Sequence, residues 1–218
     1  RDADKLIEAG RVKINDIVAR KGNRVTATDQ VFVDDVLIVN KAKPIYIALN
    51  KPIGIVCTTD ARDPDNIITY LGYKERIFPI GRLDKMSQGL ILLTNDGDIV
   101  NKILRAGNYH EKEYIVTVNK PIDTAFVKTM SAGVPILDTV TRPCQVHKID
   151  DYTFSIILTQ GLNRQIRRMC EFLGYQVKAL SRIRIMDIKL DGIDYDTWRY
   201  LTDDEIARLM QMVKDSRK

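Results

Sequence analysis

An α+β fold built around an antiparallel or mixed sheet is predicted for this 218-residue chain by three features of its pattern. Short β-prone runs are numerous. They are not regularly interleaved with helices, as a doubly wound parallel sheet requires. A small helix-then-strand segment at the start is set apart from the remainder by a polar break closed by proline. In order, residues 2–9 read as a short amphipathic helix, with Leu6 and Ile7 between charged residues and Gly10 as a left-handed stop. Residues 11–15 alternate as a strand, a turn follows at Asn15-Asp16, and a β-rich stretch runs from Val31-Phe32-Val33 through Val36-Leu37-Ile38-Val39. Asn40-Lys41-Ala42-Lys43-Pro44 is the expected linker, so the chain divides into a module at 1–43 and a larger domain at 44–218.

In the larger domain, strands are expected at 45–49, 90–94, 114–118, 154–158 and 183–190, and helices at 98–105, 123–130, 163–173 and 202–213. The last helix opens Thr202-Asp203-Asp204-Glu205, where a hydroxyl caps free N–H groups and acids oppose the helix dipole.

Composition narrows the function. Hydrophobic residues at 44% and charged residues at 29% are ordinary globular usage and exclude disordered or low-complexity classes. No apolar run approaches the roughly 18 residues of a membrane span, and the N-terminal residues show no signal-peptide core, so a cytoplasmic protein without membrane attachment is expected. Cys57, Cys144 and Cys170 are odd in number and widely spaced, with His110 and His147 the two histidines present. They are read as small buried hydrophobes, with neither disulfides nor a metal site.

The net charge of +5 and a pI near 9.0 invite an anionic partner. Between Gly161 and Arg184 lie six cations (Arg164, Arg167, Arg168, Lys178, Arg182, Arg184) and one acid, Glu171, which accounts for the whole net charge. Such a segment suits contact with a phosphate backbone, although a charge cluster is more often just a solvated face.

The chain lacks the GxxxxGK[ST], GxGxxG, HExxH and GxSxG patterns, which leaves carboxylate chemistry. The sharpest candidate is Asp84 in Gly81-Arg82-Leu83-Asp84-Lys85-Met86-Ser87-Gln88-Gly89-Leu90, an acid flanked by cations in a loop between β-prone segments. Its ordinary alternative is a turn or cap residue. The second candidate stretch is Gln160-Gly161-Leu162-Asn163-Arg164-Gln165-Ile166-Arg167-Arg168-Met169. On a helix, Arg164 and Arg168 share one face while Arg167 is turned away from them toward Asn163. An inward Arg is costly to bury unless it meets an anion, and Asp84 with Arg167 is such a pairing.

Lys51-Pro52-Ile53-Gly54, Gly81-Arg82-Leu83-Asp84, Lys112-Glu113-Tyr114 and Asn163-Arg164-Gln165-Ile166-Arg167-Arg168-Met169 together resemble the successive motifs of the pseudouridine synthases that modify ribosomal RNA. The Gly before Arg82-Leu83-Asp84 is similar to their small-subunit-synthase branch, which includes large-subunit enzymes. Residues 1–43 resemble an S4 RNA-binding module through Ala3-Asp4-Lys5-Leu6-Ile7-Glu8-Ala9-Gly10-Arg11-Val12, with the module's first helix missing, in keeping with the absent initiator Met of a truncated or processed chain.

The resemblance implies an isomerase that converts uridine to pseudouridine in rRNA, expected in the 23S molecule, without cofactor or metal. Transfer RNA or small-subunit rRNA are alternative substrates, and a monomer is expected. By similarity Asp84 is the essential carboxylate, Arg167 its partner and Tyr114 the base-stacking tyrosine. Ile166 packs on the uracil, Arg82 fills the space left by the extruded nucleotide, and Lys51-Pro52 is structural. Arg164 and Arg168 contact phosphate, with Arg11 and Lys13 a second RNA anchor. Two rival readings stand beside this: a non-catalytic S4-type ribosome-assembly protein, and a nucleoside glycosidase, which needs a second acid such as Asp96 or Asp98 near Asp84.

Overall fold

The computed structural model describes residues 2–26, 28–38 and 43–216. The chain forms two compact units, Arg1–Lys43 and Pro44–Lys218. The expected linker at 40–44 lies outside the described residues apart from Lys43 and Pro44, as does Val39.

In the first unit, helix α1 (Asp2–Glu8), with Asp2 and Asp4 in its first turn, precedes four short strands: β1 (Val12–Ile14), β2 (Ile17–Val18), β3 (Val31–Val33) and β4 (Val36–Leu37). They form an antiparallel sheet in the order β2-β1-β3-β4. Asn15, Asp34 and Asp35 turn the hairpins at positive φ, where Asn and Asp are the side chains best tolerated.

The second unit runs β5 (Tyr46–Lys51), α2 (Ile67–Leu71), β6 (Phe78–Ile80), β7 (Gln88–Thr94), α3 (Gly97–Leu104), a 3₁₀ turn at Ala106–Asn108, β8 (Lys112–Val118) and α4 (Thr124–Ala132). It continues through β9 (Pro135–Ile136), β10 (Thr139–Val140), β11 (Gln145–Lys148), β12 (Thr153–Leu158), α5 (Gln165–Phe172), β13 (Val177–Ile185), β14 (Ile188–Lys189), β15 (Trp198–Tyr200) and α6 (Asp203–Met212). The main sheet has the order β11-β12-β8-β13-β7-β5-β15, with β14 on β13 and β6 on β7. Its β13–β7 pair is parallel and its other pairs are antiparallel, so the predicted α+β class with a mixed sheet holds.

Both faces of the middle of this sheet are covered. On β7, Leu90 and Leu92 pack with Ile99, Ile103 and Leu209 of α3 and α6, while Ile91 and Leu93 pack with Ile47, Leu49 and Ile67 on the other face. That is why β5 and β7 read as unbroken apolar runs rather than alternating ones. A further cluster joins Val116 and Phe154 of β8 and β12 to Phe126 and Met130 of α4 and Met169 of α5.

The sequence expectation misplaced one central strand. The run read at 183–190 is two strands, β13 ending at Ile185 and β14 starting at Ile188, because Met186 enters the left-handed region and turns the chain. The first half of β13 escaped notice because Lys178 and Arg182 interrupt its apolar pattern. Short elements such as α2, β6, β11 and β15 were also not read. Cys57 and Cys170 are buried as expected, whereas Cys144 is half-buried. Burial pushes the Cys170 thiol up to about 12, which keeps it protonated.

Helix α6 is closed by a capping box between Thr202 and Glu205, and Arg199 of β15 clamps the same carboxylate with two bonds of 2.7 and 2.8 Å. Arg199 and the Thr202 N–H lower the Glu205 carboxyl to about 2. A depressed carboxylate contributes stability above its unfolded pKa and loses it as the pH falls through the folded one. Thermal stability is therefore expected to drop by about 1–2 kcal/mol between pH 4.5 and 2 through this group. Glu205→Gln should lower stability at pH 7 and flatten that part of the acid profile.

Candidate active site

Asp84 sits on the hairpin loop that joins β6 to β7, and the loop is fastened on several sides. The Leu83 N–H donates to Cys57 Sγ at 3.3 Å, the Ser87 N–H to the Asp84 carbonyl at 3.0 Å and the Gly54 N–H to the Lys85 carbonyl at 2.8 Å. Lys85 Nζ meets Asp65 at 2.7 Å. Leu83 is buried beneath the loop, so its neighbour Asp84 is held upward with its side chain one-third exposed.

Two arginines face this carboxylate. Arg167 Nε lies 3.7 Å from Asp84 Oδ2 and Arg164 Nη1 lies 3.5 Å from the same oxygen. Arg167 also clamps the loop: its Nη2 donates to the Met86 carbonyl at 3.0 Å and to Ser87 Oγ at 3.2 Å. Its Nε is buried without a hydrogen-bond partner, since 3.7 Å is an ion pair rather than a bond. Burial, followed by the charge of Arg164, lowers the Arg167 pKa, and Asp84 opposes them. The predicted Asp84–Arg167 meeting is thus present in the geometry.

The basic helix differs from its expected shape. It begins at Gln165, and Arg164 precedes it at φ 50° in the left-handed region. Arg164 and Arg168 therefore do not share a helical face. Arg164 is thrown toward Asp84, while Arg168 folds back on Asn163, donating to its carbonyl and side-chain oxygen at 3.1 and 3.2 Å. Helical spacing instead predicts Arg167, not Arg168, near Asn163.

Beneath the loop lies a cleft of about 420 Å³, within the range of small-ligand sites. Tyr114 and Lys112 project into it from alternate positions of β8, Arg182 from β13, and Ile166 from the first turn of α5. Tyr114 packs against two of the hydrophobic clusters, and it pairs in register with Arg182 across the β8–β13 ladder. The exposed Arg82 also lines the cleft. Among the described residues that line the cleft, Asp84 is the one carboxylate, facing the cations Arg82, Lys112, Arg164, Arg167 and Arg182. Asp96 caps α3 and accepts from the Tyr46 hydroxyl at 2.7 Å, away from the cleft, and Asp98 is not among its lining residues. The second acid that a glycosidase needs is therefore not found at Asp84 among the described residues.

Arg11 and Lys13 belong to the first unit, where Arg11 pairs with Asp34 and Lys13 with Asp35 at 2.6 Å, all exposed. Sequence reasoning missed Lys112 and Arg182 as lining residues and Arg164 as a neighbour of Asp84. The two-residue spacing of Lys112 and Tyr114 on one strand could have revealed Lys112. No local signal marks Arg182, whose burial depends on how β13 packs.

Residues 45–172 match the family model described as RNA pseudouridylate synthase. The chain belongs to this family. It is 56% identical over 99% of its length to the dual-specificity RNA pseudouridine synthase RluF of Salmonella typhi, covering 75% of that protein. It is 32% identical to ribosomal large subunit pseudouridine synthase B of Bacillus subtilis, covering 96% of this chain and 89% of the relative. It is 31% identical to ribosomal small subunit pseudouridine synthase A of Haemophilus influenzae, covering 96% and 93%. A crystal structure of a pseudouridylate synthase superposes with a TM-score of 0.72 at 30% identity, covering 95% of this chain and 92% of the other. The protein is an RNA pseudouridine synthase, and the branch read from Gly81-Arg82-Leu83-Asp84 is borne out. Among the described residues, no helix is long and apolar enough to cross a membrane.

Proposed function

We propose that this synthase isomerises a uridine of 23S ribosomal RNA, using Asp84 as its essential carboxylate. The observation that carries the reading is the placement of Asp84: the one acid among the described residues lining the cleft, stapled in a loop, it faces two guanidinium groups at the mouth of a cleft of nucleotide size. Breaking the N1–C1′ bond and remaking it through C5 consumes nothing. A carboxylate serves either by attacking C1′ or by taking a sugar proton, and both roles need it ionised. Tyr114 stacks on the everted uracil and Ile166 packs on it from another side. Arg82 occupies the gap in the RNA, offsetting an unstacking cost of about a few kcal/mol. The rRNA-modifying relatives support ribosomal RNA as substrate, and the dual specificity in the name of RluF supports a second RNA substrate, for which transfer RNA is the alternative to test.

Arg164 and Arg168 contact phosphates, and the first unit acts as an S4-like module in which Arg11 and Lys13 add an anchor. Their present partners do not prevent this, because exposed ion pairs are worth only about 0–1 kcal/mol and phosphate readily replaces one. Replacing Arg168 by Gln should weaken RNA binding several-fold for all sequences and reduce the slope of log affinity against log salt by about one. Filter binding across a salt series measures both. We place the enzyme in the cytoplasm as a monomer that needs no metal or cofactor.

Chemical mapping of pseudouridine in ribosomal and transfer RNA from cells with and without the protein tests the reading. Loss of a large-subunit pseudouridine is expected. An unchanged map would favour a non-catalytic assembly role, and loss confined to small-subunit or transfer RNA would overturn the choice of substrate.

A further inference from the structure

Two buried cations lie in the cleft, close enough for each to feel the other's charge, with bonding capacity that the protein leaves unfilled. Arg182 is 3% exposed and Lys112 is 9% exposed. Arg182 Nε donates to the Leu90 carbonyl at 2.7 Å and Nη1 lies 3.5 Å from the Arg82 carbonyl, while Nη2 is buried with no partner among the described residues. Lys112 Nζ, with three donors, gives one to the His110 carbonyl at 3.1 Å. Buried cations are ordinarily paired with acids. Here the neighbouring acids are turned away: strand alternation puts Glu111 and Glu113 on the opposite face from Lys112, where Arg184 holds both at 3.0 and 2.7 Å. The carboxylate that does line the cleft, Asp84, is faced by Arg164 and Arg167.

Donors fixed in a dry site without a counter-ion stabilise a group that becomes negative during reaction. We propose that Lys112 and Arg182 bind the carbonyl oxygens of the everted uracil and hold the charge that the base acquires when its glycosidic bond opens. The inference rests on the reading of the cleft as the uridine site. The C1′–N1 bond breaks with its electron pair remaining on N1, from which it spreads to O2 and O4. C1′ is meanwhile satisfied by a bond to the Asp84 carboxylate or by loss of a neighbouring sugar proton. After the ring turns, C5 gives an electron pair to C1′ as the Asp84 carboxylate leaves or the sugar proton is returned; the C5 proton is lost to solvent and N1 takes one up, so that the sum is an isomerisation. Cytosine carries an amino group where uracil has O4, and the same pair of donors rejects it.

Burial, aided by the charge of Arg182, lowers the Lys112 ammonium to about 8. The groups around it are Arg182 from β13, His110 from the preceding residues, Tyr114 from β8, Arg82 and Asp84 from the loop, and Arg164 and Arg167 from the start of α5. Raising the pH through about 8 removes the charge, so the rate should fall there.

The test is single-turnover tritium release by the full chain from transcribed large-subunit rRNA carrying [5-³H]uridine. Lys112→Met fills the same space without a donor and Lys112→Gln restores a neutral donor. The Met variant should be slower than wild type by about 100-fold or more, and the Gln variant intermediate, with RNA affinity within about threefold for both. Since the Met variant removes a buried charge, it should melt no lower than wild type at pH 7. Release by Lys112→Met within threefold of wild type, or equal losses in the Met and Gln variants, would overturn the proposal. Asp84→Asn is the parallel control. If it also retains release, the reading of the cleft fails; if it is inactive while Lys112→Met is active, the failure belongs to the oxygen site alone.

Discussion

Asp84→Asn is expected to abolish pseudouridine formation, by about 10³-fold or more, while leaving RNA binding equal to or tighter than that of the wild type. The amide keeps the size of the side chain and can still sit between Arg164 and Arg167, so the loop held by Cys57, Gly54 and Ser87 should stay in place. What is lost is the anion that can attack or deprotonate the sugar. The direction of the affinity change follows from charge. The cleft holds five cations and this one carboxylate among its described lining residues, and neutralising it raises the positive potential seen by a phosphate backbone. Tritium release reads the first effect and filter binding the second. Retained turnover would remove Asp84 from its role. A parallel collapse of binding and turnover would mean that the carboxylate holds the site's shape instead.

Gly89→Ala should be the most damaging single-methyl change in the core of the sheet. Gly89 has φ +104°, and a Cβ built there would lie 2.3 Å from the Arg182 carbonyl oxygen and 2.7 Å from its nitrogen. Both are main-chain atoms of the parallel partner strand, so no side-chain rotation relieves the clash. The strands must part, at an expected loss of about 3 kcal/mol or more, which for a chain of this size lowers the melting temperature by roughly 6–12 °C. Separation would also pull Arg182 from the Leu90 carbonyl. Any folded fraction should therefore be slow as well as unstable. A melting temperature within 1 °C of wild type would show that the close approach of β7 and β13 is dispensable.

Much of this organisation was legible in the residues. Apolar runs at Ile45–Leu49 and Leu90–Thr94 marked strands because a sheet covered on both faces leaves no polar positions to interrupt them. Thr202 and Glu205 marked the start of α6 because the capping bonds are local. Asp84 stood out as an acid among cations in a loop, and the four ordered motifs pointed to the family that the comparisons bear out. The errors share a cause. The helix read at 163–173 was drawn too long because nothing local announces that Arg164 turns left-handed. The strand Val177–Ile185 was half-missed because a buried Arg182 violates the apolar rule that sequence patterns rely on.

Residue periodicity, capping and motif order were enough to determine the fold class and the family and to single out Asp84 as the candidate acid, because each depends on neighbours close along the chain or on a short ordered string. Only the tertiary structure decided which cations meet that acid, that Arg164 joins Arg167 beside it, and that Lys112 and Arg182 lie buried without acid partners among the described residues. Those facts depend on strands 70 to 100 positions apart being brought within a few ångströms, as in the Arg182–Arg82 contact. The cost of burying a charge is set by that packing and not by the residues beside it in the chain.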